Sequence, residues 1–143
     1  MAKLLVAEDD EFSRDMLVRR LQRQGHDVLS APDGREGVRL ARIHRPELIL
    51  MDLDMPVMDG HTAIAALKRD PRTFRIPIIV LTAHTSAEDV AGAAEAGCDS
   101  FEAKPVVFRR LLERITQILQ TSSPGSTPVQ TSPAELPGPD PGP

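Results

Sequence analysis

Leu48-Ile49-Leu50-Met51-Asp52-Leu53-Asp54-Met55-Pro56-Val57-Met58-Asp59-Gly60 is the stretch whose reading decides the fold. Four apolar residues in a row, closed by a segment containing Pro and Gly, read as a short strand buried on both faces. Asp52 falls where that strand ends. Open parallel α/β sheets bind ligands just beyond the carboxyl ends of their strands, so an acid there stands where chemistry is done. Taken alone, Asp52 also suits a turn or a helix cap before a Gly-containing loop, and the other strands decide between the two.

Upstream of this stretch, Lys3 to Ala7 reads as a first buried strand running straight into Glu8-Asp9-Asp10-Glu11. Phe12, Met16, Leu17 and Leu21 then recur at helical spacing, with Gly25 as the stop. Asp27 to Ser30 is a short second strand. Asp33 with Glu36 three positions on resembles a capping box, and the helix it opens ends near His44-Arg45 because Pro46 cannot continue it. Downstream, Ala63, Ile64 and Leu67 mark a third helix, ended by the polar Arg69-Asp70-Pro71-Arg72 loop. Pro77 to Leu81 is a fourth buried strand ending at Thr82. Ser86 and Asp89 open an alanine-rich helix that Gly97 closes. Asp99 to Ala103 is a weaker fifth strand before Lys104-Pro105. Phe108, Leu111, Leu112, Ile115, Ile118 and Leu119 give the last helix its apolar stripe. Five strands alternating with five helices imply a parallel sheet with helices on both faces.

The 143 residues suit one ordinary domain with a real core, placed at residues 1–121. From residue 122 the composition changes: seven of the 13 prolines lie between Pro124 and Pro143, among Ser, Thr and Gly, with no Lys or Arg. Such a segment buries too little apolar area to offset its ordering entropy, so a disordered tail is expected over 122–143. Hydrophobic residues make up 41% of the chain, and no apolar run approaches the roughly 18 to 20 residues of a membrane span. The apolar run after Lys3 is too short for a signal-peptide core. Cys98 is the single cysteine, which excludes an intrachain disulfide and suits a reducing cytoplasm. A formal net charge of −4 and 3% aromatics, all Phe, give no footprint for direct nucleic-acid binding and no stacking platform.

Four of the five strands end in a chemically capable residue: Glu8 and Asp9, then Asp52, Thr82 and Lys104. In a sheet ordered 2-1-3-4-5 the first and third strands are neighbours and the crevice opens between them, so the three acids converge. Packed carboxylates raise one another's pKa unless a cation intervenes. An all-oxygen set without His or Cys suits a hard ion that keeps its waters, which makes Mg²⁺ the expected guest and Mn²⁺ a tolerated one. Such an ion screens the approach of a carboxylate to a phosphoryl group, and carboxylates form acyl phosphates in this way. Lys104 would neutralise one phosphoryl oxygen and the Thr82 hydroxyl would bond another. Singly, the acids at Glu8 to Glu11 also fit a first helical turn, most of all Asp10 or Glu11. Thr82 fits an ordinary β-branched strand residue and Lys104 a solvated lysine. His84 and Asp54, two residues past Thr82 and Asp52, border the same place, His84 reading as an exposed loop residue.

Leu4-Leu5-Val6-Ala7-Glu8-Asp9-Asp10, Leu50 to Gly60, Val80-Leu81-Thr82-Ala83 and Lys104-Pro105, in that order, resemble the receiver domain of bacterial two-component response regulators over roughly residues 3–120. The resemblance implies a flavodoxin-like, doubly wound α/β fold whose five-stranded parallel sheet has the order 2-1-3-4-5 and carries five helices. It implies Asp52 as the phosphoacceptor, served by a sensor histidine kinase or phosphotransfer protein. Glu8 and Asp9 become the acidic metal pair, with Asp52 and the backbone carbonyl of Asp54 as further ligands, and Lys104 the phosphate-pairing lysine before a cis Pro105. Thr82 becomes the switch hydroxyl and Phe101 the switch aromatic, acting on the face of the fourth helix, fifth strand and fifth helix where an effector protein docks. Phe at 101 lacks the phenolic hydroxyl of the frequent Tyr. No enzyme is expected beyond catalysis of the chain's own phosphoryl transfer and dephosphorylation.

Two other readings compete. A haloacid-dehalogenase-type phosphatase also uses Asp-x-Asp after a strand, a later Ser/Thr and a Lys, which Asp52-Leu53-Asp54, Thr82 and Lys104 match in outline. Such phosphatases carry their metal acids after the lysine, whereas Glu8 and Asp9 precede the nucleophile. A receiver fold serving as a phosphorylation-independent binding module is the third, and clustered acids that repel one another argue against it.

Overall fold

Short apolar runs become the strands of one parallel sheet in the computed structural model, which describes residues 2–55 and 57–122. In chain order the elements are β1 (Lys3–Ala7), α1 (Glu11–Arg23), β2 (Asp27–Ala31), α2 (Gly34–His44), β3 (Leu48–Asp52), α3 (Gly60–Arg69), β4 (Ile78–Thr82), α4 (Ala87–Ala96), β5 (Ser100–Ala103) and α5 (Phe108–Ser122). The strands lie in the order β2-β1-β3-β4-β5, the flavodoxin-like arrangement expected from the motifs. Winding reverses between β1 and β3, whose register pairs Ala7 with Met51. The chain leaving β1 therefore passes beside the end of β3.

The continuous apolar runs are explained by burial on both faces. Leu5, Ala7, Ile49, Met51, Ile78 and Val80 join Val38 and Ala41 of α2, Ala63, Ile64 and Leu67 of α3 and Ala93 of α4 in one core. Leu4, Val6, Leu48, Leu50, Ile79 and Leu81 alternate with them, point the other way and are equally buried. Each such side chain contributes roughly 1.5–3 kcal/mol of transfer free energy. In α1 the structure divides a stripe the sequence had joined: Leu17 and Leu21 are buried, but Phe12 and Met16 are 72% and 42% exposed. The two pairs each sit one turn apart on different sides of the helix, and only the Leu pair faces inward.

Caps fix the helix starts at the strand ends. Asp10, Asp33, Asp59 and Ser86 accept from the backbone N–H three residues on, at Ser13, Glu36, Thr62 and Asp89 respectively. The expected capping box of α2 is only half formed, because the Glu36 carboxylate pairs with Arg39 instead of reaching back to Asp33. Lys68 ties α3 to the β5 side of the sheet: its Nζ donates to the carbonyls of Phe74 and Ile76 and to Asp99 Oδ2, which also accepts from Ile78 N at 2.8 Å. Residues 1–107 form one unit and α5 belongs to a second; along α5, Leu111 and Ile115 are buried one turn apart. Residues 123–143, and with them the expected tail, lie outside the described residues.

Candidate functional site

Asp52 closes β3 and is 2% exposed. Its Oδ1 accepts from Asp54 N at 3.1 Å, which orients the carboxylate through the turn that follows. That turn is tightly held. Gly60 N donates to Leu53 O at 3.0 Å, and a Cβ at Gly60 would stand 2.6 Å from Leu53 Cα and 2.7 Å from Asp52 O, so no side chain fits there. Val57 sits in the left-handed region at φ 71, a conformation that costs a β-branched residue free energy.

The β1 register brings Glu8 and Asp9 to Asp52. One carboxylate oxygen from each of the three lies within 4.8 Å of the others. Glu8 is 1% exposed and Asp9 is exposed, so the group has a buried floor and a solvent side. Lys104, after β5, places Nζ 3.1 Å from Glu8 Oε1 and 3.3 Å from Asp52 Oδ2. Burial pushes the Glu8 carboxyl up from 4.5 to about 7, against the Asp10 N–H that bonds its Oε2, and the Asp52 charge adds to the rise. For Lys104, burial acts to lower the ammonium pKa, and the Asp52 and Glu8 carboxylates outweigh it and hold the pKa above its ordinary value. Three carboxylates face one ammonium, an anionic excess of oxygen ligands with no His or Cys, and such a donor set fits Mg²⁺ or Mn²⁺.

Thr82 is buried at the end of β4, and its hydroxyl is engaged by the backbone of His84: Oγ1 accepts from His84 N at 2.9 Å. Phe101 is partly buried against the core, paired in register with Val80. His84 is exposed as read from sequence, yet its Nε2 lies 3.1 Å from Asp54 Oδ2, linking the loops after β3 and β4. Asp10, one of the two residues read as a first-turn acid, is the N-cap of α1. The peptide bond between Lys104 and Pro105 is cis. Sequence reasoning missed Arg14, whose Nη1 donates to Glu8 O at 2.9 Å and pins the acidic loop to α1. A base one turn into the helix after an acidic run was the available signal.

A doubly wound parallel sheet with an acid cluster and a lysine at its switch point defines a class of α/β domains whose ligand site lies beyond the carboxyl ends of the strands. The chain belongs to the response regulator receiver domain family of two-component signalling, which it matches over residues 4–116. It is 34% identical over 119 residues to protein PilH of Pseudomonas aeruginosa, covering 83% of this chain and 98% of PilH. It is 40% identical over 127 residues to the transcriptional regulatory protein AfsQ1 of Streptomyces coelicolor, covering 89% of this chain and 55% of AfsQ1. The chain thus spans little more than half the length of that relative. Among solved structures, chemotaxis protein CheY4 of Vibrio cholerae superposes with a TM-score of 0.79 at 33% identity, covering 83% of this chain and 99% of CheY4. The receiver domain of sensor histidine kinase PA1611 from Pseudomonas aeruginosa, which has a magnesium ion coordinated in its active-site cleft, gives 0.74 at 34% identity over 81% of this chain and 94% of that one. These matches favour the receiver over the phosphatase. No helix among the described residues is long and apolar enough to cross a membrane.

Proposed function

We propose that this receiver accepts a phosphoryl group on Asp52 from a phosphohistidine of a sensor histidine kinase or phosphotransfer protein, with Mg²⁺ held by Glu8, Asp9, Asp52 and the Asp54 carbonyl. The observation that carries the reading is the meeting of three carboxylates from β1 and β3 with the Lys104 ammonium from the far side of β4. The magnesium described for the PA1611 receiver supports the choice of metal. When bound, the ion supplies charge neutralisation for the phosphoryl oxygens.

The chain's own residues do the rest. Asp54 N–H holds one Asp52 oxygen and so aims the carboxylate. An Asp52 oxygen forms the new O–P bond as the N–P bond to the donor imidazole breaks, and the released nitrogen keeps the electron pair. Lys104, already 3.3 Å from Asp52, pairs with a phosphoryl oxygen. Thr82 leaves the His84 backbone to bond a second one, and its movement gives the Phe101 ring room to turn. The surface of α4 and β5 is the face an effector protein reads. Catalysis is confined to the chain's own phosphorylation and dephosphorylation, and the site of action is the cytoplasm.

The test is incubation with acetyl phosphate and Mg²⁺, followed by mass spectrometry. One acid-stable, base-labile phosphoryl group on Asp52 is expected, lost in Asp52→Asn and strongly reduced by EDTA. Undiminished labelling of Asp52→Asn, or labelling indifferent to EDTA, would overturn the assignment.

A further inference from the structure

α3 starts beside the acceptor and runs away from it, so its ten residues carry the chain about 15 Å along the helix axis to a second charged cluster. Asp70 follows the helix and is 9% exposed. Its carboxylate holds two guanidiniums. Arg42 of α2 donates from Nε to Oδ2 at 2.8 Å, and Arg72 donates from Nε to Oδ1 at 3.1 Å and from Nη2 to Oδ2 at 2.8 Å. Asp70 Oδ1 also accepts from Arg72 N at 2.8 Å. Arg69 is fixed by its own bond from Nε to Ala65 O at 3.2 Å. Together with Ala66 and Pro71 these residues line an open depression of about 660 Å³.

The charge here is opposite to that of the whole molecule. Residues 39–45 and 68–75 hold seven Lys and Arg and one acid, Asp70, in a chain of formal net charge −4. Cations near the C-terminal ends of α2 and α3 complement the helix dipoles, which accounts for one residue at each end. It does not account for a third guanidinium placed past α3, nor for their convergence on a concave wall. One carboxylate balances one of the three, which leaves the wall with a net positive charge.

The geometry points to this depression as a binding site for an oligophosphate group, two or more linked phosphates of the kind a nucleotide carries. Guanidiniums already fixed by Asp70 and by Ala65 lose little rotamer freedom on binding, and their planar forks match phosphate oxygens two at a time. Ala66 and Pro71 supply an apolar wall against which a nucleoside rests. The site is separate from the acceptor carboxylates, which repel the same ligand in the absence of metal.

The test is isothermal titration of the full chain with inorganic pyrophosphate, ADP and an aspartate-rich octapeptide, at low salt with EDTA present. Saturable binding of pyrophosphate is expected, weakened about tenfold by Arg69→Gln, with acetyl-phosphate labelling of Asp52 unchanged in that variant. Arg69→Lys should restore only part of the affinity, because it keeps the charge and loses the fork. Equal affinity for pyrophosphate and ADP assigns recognition to the phosphates alone, and tighter binding of ADP adds the apolar wall; both support the site. Absence of saturable binding, equal binding by wild type and Arg69→Gln, or preference for the acidic peptide would each overturn it.

Discussion

Replacing Glu8 by Gln in metal-free protein should abolish the loss of stability that Glu8 imposes on wild type as pH rises. Burial, with the Asp52 charge beside it, lifts the Glu8 carboxyl from 4.5 to about 7, so the folded chain holds a proton that the unfolded chain has already released. A raised carboxyl pKa favours folding at low pH, and that contribution drains away as pH climbs from about 4.5 through about 7. At about 1.4 kcal/mol per pH unit, the interval is worth roughly 3 kcal/mol, an upper figure because Lys104 compensates part of the charge. Gln keeps the volume and removes the titration. Urea unfolding followed by circular dichroism in EDTA, at pH 5 and pH 8, should therefore show the variant gaining on wild type by about 2–3 kcal/mol at the higher pH. Parallel stability profiles for the two proteins would refute the reasoning. In wild type, Mg²⁺ affinity should rise over the same range, since binding displaces the Glu8 proton.

Lys104→Ala leaves Glu8 and Asp52 without their ammonium, and should cost about 1–3 kcal/mol in EDTA after allowance for partial exposure; added Mg²⁺ should recover much of that loss in the same urea titration. Gly60→Ala forces a Cβ against Leu53 Cα and Asp52 O, so about 1–3 kcal/mol of stability and slower acetyl-phosphate labelling are expected, and an unchanged labelling rate would show that the turn does not orient Asp52. Leu21→Ala should cost about 2–5 kcal/mol and Phe12→Ala no more than about 0.5, despite the larger side chain, because Leu21 is fully buried and Phe12 is 72% exposed. Thermal unfolding of the pair checks it.

The site was largely legible in the chain because each of its residues closes a strand. Asp52, Thr82 and the acids at Glu8 and Asp9 each close an apolar run, and Lys104 does the same after the weaker β5; each alone has an ordinary structural reading, and their joint placement at strand ends is what made the site readable. What was illegible depends on which way side chains point. Phe12 and Leu21 share an apolar character and a helix, but one faces solvent. Glu36 stands at the right spacing to complete a cap, but Arg39, three residues on, competes for it and wins. His84 and Asp54 were legible as neighbours of the site, but the meeting of their side chains at 3.1 Å was not.

Residue order by itself determined the alternation of five strands and five helices, the N-caps of α2 and α4 and the identity of the candidate site side chains, because hydrophobic periodicity and turn chemistry are local properties of the chain. Only the tertiary structure decided that Glu8 is buried and Asp9 exposed, that Arg14 pins the acidic loop, and that Arg42 joins Arg72 on the Asp70 carboxylate. Those facts turn on distances between residues far apart in sequence or on opposite sides of one backbone turn, and such distances are set by sheet register and helix packing, not by neighbours in the chain.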